Sequence, residues 1–254
     1  MPTVLVTGAT AGIGREFVRQ YAEQGCDVVA VARTESRLAE VAAETEGTYG
    51  VRVETIVADL VDRSALEQVA QRVRSSEDPV EILVNNAGLG LKASFTENDL
   101  STEEAAFDLM CRVVLVLSHA AATTMTPRGR GEIINVSSVA SFISAGSYSA
   151  AKAFVTVLTE GLSTDLSGTG VTATALCPGF THTEFHDRGE MDVSYLPEAA
   201  WLDVRDVVAA AIADSRAGKA ISVPSARYKA LVGLLQVTPR GLLRNRLATP
   251  RHRR

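Results

Sequence analysis

An α/β architecture is what this sequence predicts: a doubly wound parallel sheet of about seven strands with helices on both faces. Three observations carry that prediction. Short apolar runs alternate with longer amphipathic stretches from Thr3 to about Val223. The first run passes straight into a glycine-rich turn, Gly8-Ala-Thr-Ala-Gly12-Ile-Gly14, and then into a helical pattern. No linker, repeat or low-complexity segment interrupts the alternation, which reads as one domain over 1–225 followed by a basic amphipathic segment over 226–254.

In chain order, Thr3 to Thr7 is a buried strand and the amphipathic stretch after the turn runs to about Gln24. Glycines let backbone approach a ligand, and the N–H groups opening a helix attract an anion, so this strand, turn and helix suit a phosphate. Asp27 to Ala32 is the second strand and ends at Arg33-Thr34. In a Rossmann layout that end faces the adenosine ribose, where arginine suits a 2′-phosphate and a carboxylate would suit a free hydroxyl. Arg33 therefore predicts NADP(H) in preference to NAD(H). A helix over Glu35 to about Thr48 leads to a strand over Arg52 to Ala58, closed by Asp59-Leu60. Asp62 opens the next helix, Asp78-Pro79 ends it, and Ile82 to Gly88 is a strand ending in Asn85-Asn86-Ala87-Gly88. Thr102 to about Met125 is a long helix, apolar through Val113 to Ala122 and so expected to be buried. Glu132 to Val136 is the fifth strand, a helix runs from near Ser147 to about Leu166, and Gly170 to Cys177 is the sixth strand. Asp203 to Ser215 is a helix and Ala220 to Val223 a last short strand.

Tyr148 and Lys152 stand four residues apart, one turn from each other on a single helix face. A phenol keeps its proton to about pH 10. A fixed ammonium beside it favours the phenolate and is expected to lower that value toward the working range. A serine at the end of the preceding strand is placed to hold a substrate oxygen against the tyrosine.

Composition narrows the classes. The 254 residues are 46% hydrophobic, enough for a sizeable core. No apolar run reaches the ~20 residues that span a bilayer, and a strand beginning at Thr3 leaves no room for a leader segment. Cys26, Cys111 and Cys177 are far apart and odd in number, as expected of reduced thiols in a cytoplasmic protein, and the scattered histidines predict no metal site. The net charge of −5 is unevenly placed, with ten Lys/Arg and no Asp/Glu from Ser215 onward. Docking of this tail on the acidic body or a partner subunit, or disorder, ranks ahead of peripheral membrane contact. Nucleic-acid binding is not expected, because no folded basic face supports it.

With these motifs in order, nearly the whole chain resembles the short-chain dehydrogenase/reductase family in its single-domain branch. It looks most similar to bacterial NADP-preferring oxidoreductases related to hydroxysteroid and 3-ketoacyl-type reductases. The resemblance implies that Gly8, Gly12, Ile13 and Gly14 wrap the pyrophosphate, with Thr10 and Arg33 at the adenosine phosphate. Asp59 and Leu60 would bracket the adenine, and Asn86, Ala87 and Gly88 would line the nearby ribose. Pro178, Gly179, Thr181 and Thr183 would position the nicotinamide. Lys152 would bond the nicotinamide ribose, Tyr148 would be the general acid/base, and Ser138, favoured over Ser137 by the motif's register, would hold a substrate carbonyl. The substrate implied is a lipophilic ketone, aldehyde or secondary alcohol, bounded by Leu89, Leu91, Phe142 and a lid over Glu184 to Trp201, and the assembly implied is a homodimer or homotetramer.

Two departures stand out. The family's fourth catalytic residue, an asparagine on the long helix, is replaced by Met110, which cannot hold a water by hydrogen bonds. The connection from Ser138 to Tyr148 is also shorter than usual. Met110 keeps open the alternative of a nicotinamide-dinucleotide-binding protein with weak or no catalysis.

Overall fold

The computed structural model describes residues 1–91, 93–184 and 197–238. Its strands are β1 (Thr3–Thr7), β2 (Asp27–Ala32), β3 (Val53–Val57), β4 (Val80–Asn85), β5 (Gly131–Val136), β6 (Val171–Leu176) and β7 (Ile221–Ser222). They form one parallel sheet in the order β3-β2-β1-β4-β5-β6-β7. The helices are α1 (Gly12–Glu23), α2 (Glu35–Tyr49), α3 (Arg63–Arg74), α4 (Leu100–Phe107), α5 (Val113–Arg128), α6 (Gly146–Asp165), α7 (Val204–Arg216) and α8 (Ala226–Val237).

Side chains alternate across a strand, and this sheet buries both faces, so its central strands are apolar on both faces through their middles. Val4 and Val6 join Phe17, Val18 and Tyr21 of α1 and Val207, Val208 and Ile212 of α7. Leu5, Val29 and Val31 join Leu66, Val69 and Val73 of α3 and Leu117, Ala121 and Met125 of α5. Carboxylates start two of the covering helices: Asp62 accepts from the Ala65 N–H at 2.8 Å and Asp203 from the Arg205 N–H at 2.7 Å.

The long helix expected as one piece is two, α4 and α5, joined by a π turn over Asp108–Arg112. There the Val113 N–H reaches back to the Asp108 carbonyl, and Arg112 donates to the Asp108 carboxylate at 2.8 Å and to the Val61 carbonyl at 2.9 Å. By length and composition the stretch Leu100–Arg128 is apolar enough to cross a bilayer, which differs from the reading of the sequence. Half of its most apolar part is buried inside the fold, and α5 packs against α3 and β4 as a core helix.

The segment read as the start of the basic tail is α8, whose Tyr228, Val232 and Leu235 are buried against the body. The lid residues Phe185, Met191, Tyr195 and Leu196 and the tail from 239 onward lie outside the described residues.

A buried polar network crosses the sheet's centre. Asn85 Nδ2 donates to Asn135 Oδ1 at 2.8 Å and to Ser118 Oγ at 3.1 Å. Ser118 also donates to Asn135 Oδ1 at 3.2 Å, and Asn135 Nδ2 donates to Thr159 Oγ1 at 2.9 Å. These bonds tie β4 and β5 to α5 and α6. Asn135→Ala is expected to cost about 3 kcal/mol in urea unfolding, because several dry polar groups lose a partner together.

Candidate active site

Every strand runs the same way, so all strand exits lie on one edge of the sheet, and the sequence motifs occupy these exits. The glycine turn follows β1, Arg33 follows β2, Asp59-Leu60 follows β3, Asn86–Gly88 follow β4, Ser138 follows β5 and Pro178–Thr183 follow β6. Strand order reverses between β1 and β4, the place where an open α/β sheet leaves a crevice for a ligand.

Crevice and turn are interlocked. Thr7 Oγ1 accepts from the N–H groups of Asn86 at 2.9 Å and Ala87 at 3.0 Å, and Asn86 Nδ2 donates to the Thr7 carbonyl at 2.9 Å. The turn closes so tightly that a Cβ on Gly14 would fall 2.2 Å from the Gly8 carbonyl oxygen. Thr183 reaches the turn from β6, 3.1 Å from where a Cβ on Gly12 would lie. Helix α1 opens at this edge with Ala11 before it and no acidic residue in its first turn, so its positive end is uncompensated by side chains. This bare cradle fits a pyrophosphate.

Arg33 is exposed where β2 leaves the sheet. Asp59 is exposed too and accepts from the Val61 N–H at 3.1 Å, whereas Leu60 is buried. Thr181 is buried, with its hydroxyl turned back to donate to the Gly179 carbonyl at 3.1 Å. Arg37 at the start of α2 lies 3.6 Å from Glu184, a pair that no motif signalled.

The two serines after β5 point opposite ways. Ser137 is buried, donates to the Lys152 carbonyl at 2.8 Å and shares a bond with Thr156 at 2.8 Å. Ser138 caps the short turn Val139–Phe142 by accepting from the Ala140 N–H at 3.1 Å, and it hydrogen-bonds Tyr148. Lys152 Nζ donates to the Val136 carbonyl at 2.9 Å and lies 5.8 Å from the centre of the Tyr148 ring. It also lies 3.7 Å from where a Cβ on Gly88 would be, which brings the exits of β4 and β5 together. Ser138, Tyr148 and Lys152 thus share one site.

Electrostatics here differ from the reading of the sequence. Burial pushes the Tyr148 phenol up to about 12, and only the Ser138 hydrogen bond pulls the other way. The ammonium expected to acidify it is aimed at a backbone carbonyl and is weakened by the same dry surroundings, which bring Lys152 down to about 8. Desolvation wins over charge. Met110 is buried with Cys111, Ala106 and Ala151, and Tyr148, Leu89 and Leu91 pack against that group. Phe142, expected beside Leu89 and Leu91 at the substrate, is partly buried and packs against the core on the α1 side of the sheet, whereas those two leucines pack against the Met110 group. Tyr228 of α8, which no sequence motif marked, sits against Gly179.

Known proteins are similar to this chain in sequence and fold. The family model described as short chain dehydrogenase matches residues 2–192. An uncharacterized oxidoreductase of Staphylococcus saprophyticus is 35% identical over 211 residues, covering 82% of this chain and 88% of that protein. The structure of a short-chain dehydrogenase from Sphingobium yanoikuyae in complex with NADPH superposes with a TM-score of 0.85 at 33% identity, over 100% of this chain and 98% of the other. A bulky-bulky ketone specific alcohol dehydrogenase from Comamonas testosteroni gives 0.80 at 29% identity, over 94% and 95%.

The lowered lysine has a measurable signature. Between pH 8 and 10.5 the unfolded chain holds a proton on Lys152 that the folded chain has released, so stability rises with pH across that window. The difference in unfolding free energy between the chain and Lys152→Met is therefore expected to grow in the chain's favour by about 3 kcal/mol from pH 8 to 10.5, read by urea titration.

Proposed function

The chain belongs to the short-chain dehydrogenase family, and from that premise we propose that it is an NADP(H)-dependent oxidoreductase acting on a lipophilic ketone, aldehyde or secondary alcohol. The observation that carries this reading is the convergence of Ser138, Tyr148 and Lys152 beside the glycine cradle. A nicotinamide dinucleotide bound there supplies hydride chemistry at a carbonyl carbon. Gly8, Thr10, Gly12, Ile13 and Gly14 would hold the pyrophosphate, and Arg33 the adenosine 2′-phosphate. Asp59, Leu60, Asn86, Ala87 and Gly88 would line the adenosine pocket, and Pro178, Gly179, Thr181 and Thr183 the nicotinamide end.

Ser138 orients the substrate oxygen against the Tyr148 hydroxyl, and Tyr148 exchanges the proton. A phenol held at about 12 keeps its proton at neutral pH, so Tyr148 rests in its acid form. Lys152, fixed by the Val136 carbonyl, places its charge beside the ring and the Gly88 backbone. Apolar Leu89 and Leu91 near Tyr148 support a lipophilic substrate, as does the likeness to the bulky-bulky ketone specific enzyme of Comamonas testosteroni. The exposed side chains of Phe107, Leu115, Phe154 and Val157 on α4, α5 and α6 support pairing of two copies through that face. A second reading, a dinucleotide-binding protein with little turnover, draws on Met110, a thioether packed where the family has an amide.

Tyr148→Phe is expected to lower kcat for carbonyl reduction by about a hundredfold or more while NADPH binding stays within a few-fold, followed by nicotinamide absorbance and titration. Retained turnover in that variant would remove Tyr148 from the mechanism. Tight NADPH binding with no turnover by the unaltered chain across a carbonyl panel would establish the second reading. Arg33→Ala is expected to raise the NADPH dissociation constant about tenfold and leave that for NADH unchanged, since one charge-assisted contact is lost.

A further inference from the structure

The loop after β6 leaves the sheet at Pro178 and returns at Ala200–Leu202. Its neck has two backbone rungs: the Leu202 N–H donates to the Phe180 carbonyl at 2.8 Å and the His182 N–H to the Leu202 carbonyl at 3.1 Å. Trp201 stacks on His182 with ring centres 4.6 Å apart, and His182 Nε2 lies 3.0 Å from Glu198. A third rung comes from α8. The Tyr228 hydroxyl accepts from the Phe180 N–H at 3.2 Å and donates to the Ala200 carbonyl at 2.8 Å, so one oxygen bridges the outgoing and returning strands of the neck. Its ring occupies the space beside Gly179, where an added Cβ would fall 2.0 Å from Cζ. Only glycine permits that approach.

The same contact reaches both halves of the site. Pro178 accepts from the Val139 N–H at 3.0 Å, next to Ser138, and Thr183, at the outer end of the neck, touches Gly12. Helix α8 also packs against the turn Val139–Phe142. Tyr228 is buried, and it lies beyond the residues the family model matches.

We propose that Tyr228 is a positioning residue that clamps the neck of the β6 loop and sets the height of Gly179 and Phe180 over the nicotinamide end of the crevice. This rests on the reading of Pro178–Thr183 as the nicotinamide loop. The clamp acts through the hydroxyl, and the ring acts as a spacer. Its effect falls mainly at the nicotinamide end, because the glycine cradle and Arg33 are anchored on β1 and β2 and meet the neck only through Thr183.

Tyr228→Phe keeps the spacer and removes the clamp, and the chain's single tryptophan, Trp201, reports on the neck without any cofactor. In the cofactor-free variant, Trp201 emission is expected to move to the red and its quenching by acrylamide to increase. The NADPH dissociation constant is expected to rise about fivefold, the equivalent of one neutral hydrogen bond, while that of 2′-phospho-ADP, which lacks the nicotinamide, stays unchanged. Wild-type emission in the variant overturns the clamp. Shifted emission with unchanged NADPH affinity, or an equal loss for both ligands, overturns the positioning role. Failure of the unaltered chain to bind NADPH would strike the nicotinamide reading instead, and the tryptophan signal would still decide the clamp. Gly179→Ala, whose methyl would strike the ring, is expected to shift Trp201 in the same direction, and the double variant by less than the sum, since both changes act on one contact.

Discussion

Parallel strand direction is the constraint on which the rest of this structure depends. Seven strands pointing one way deliver every loop that carries chemistry to a single edge, and the reversal of order between β1 and β4 opens a crevice there. A parallel sheet must be covered on both faces, which is why the middles of its central strands are apolar and why α1, α2 and α7 lie on one side and α3 and α5 on the other. The crevice is held at its floor by Thr7 and Asn86 and, one layer deeper, by the network of Asn85, Asn135, Ser118 and Thr159. These bonds keep neighbouring strand exits in register, so loops from distant parts of the chain meet within hydrogen-bonding distance.

The same dryness that stabilises the sheet governs the chemistry at its edge. Tyr148 and Lys152 belong to one helix face, yet burial acts on both and pushes their proton affinities in opposite directions, phenol upward and amine downward. The ammonium donates to the Val136 carbonyl and lies 5.8 Å from the ring centre. The phenol held by Ser138 keeps its proton at neutral pH, and burial rather than a charge pair sets that proton affinity.

Met110 shows how backbone and side chain divide a task. The turn at Asp108–Arg112 widens to π geometry although no asparagine is present, with the Asp108–Arg112 pair and the bond from Arg112 to Val61 holding it. Such turns recur at functional sites. The methionine itself contributes packing beneath Tyr148 and no hydrogen bond. At the other end of the chain, α8 converts a segment of unremarkable sequence into a brace across the loop after β6.

What the sequence determined by itself is the strand and helix alternation, the parallel sheet and the positions of the motifs at strand exits. These follow from local periodicity and from glycines whose conformational role does not depend on distant partners. Ser138, Tyr148 and Lys152 were legible for the same reason, since a strand end and one helical turn suffice to bring them near each other. What only the tertiary structure decided depends on contacts between residues far apart. The opposite aims of Ser137 and Ser138 are decided by Thr156 and the Lys152 carbonyl, and the phenol's high proton affinity by the desolvation it meets at the site. Packing against Asp108 and Val61 holds the π turn, and Tyr228 meets Gly179 from forty-nine residues further along. Periodicity carries no information about desolvation or about which remote ring fills a glycine's missing side chain; only the packed chain does.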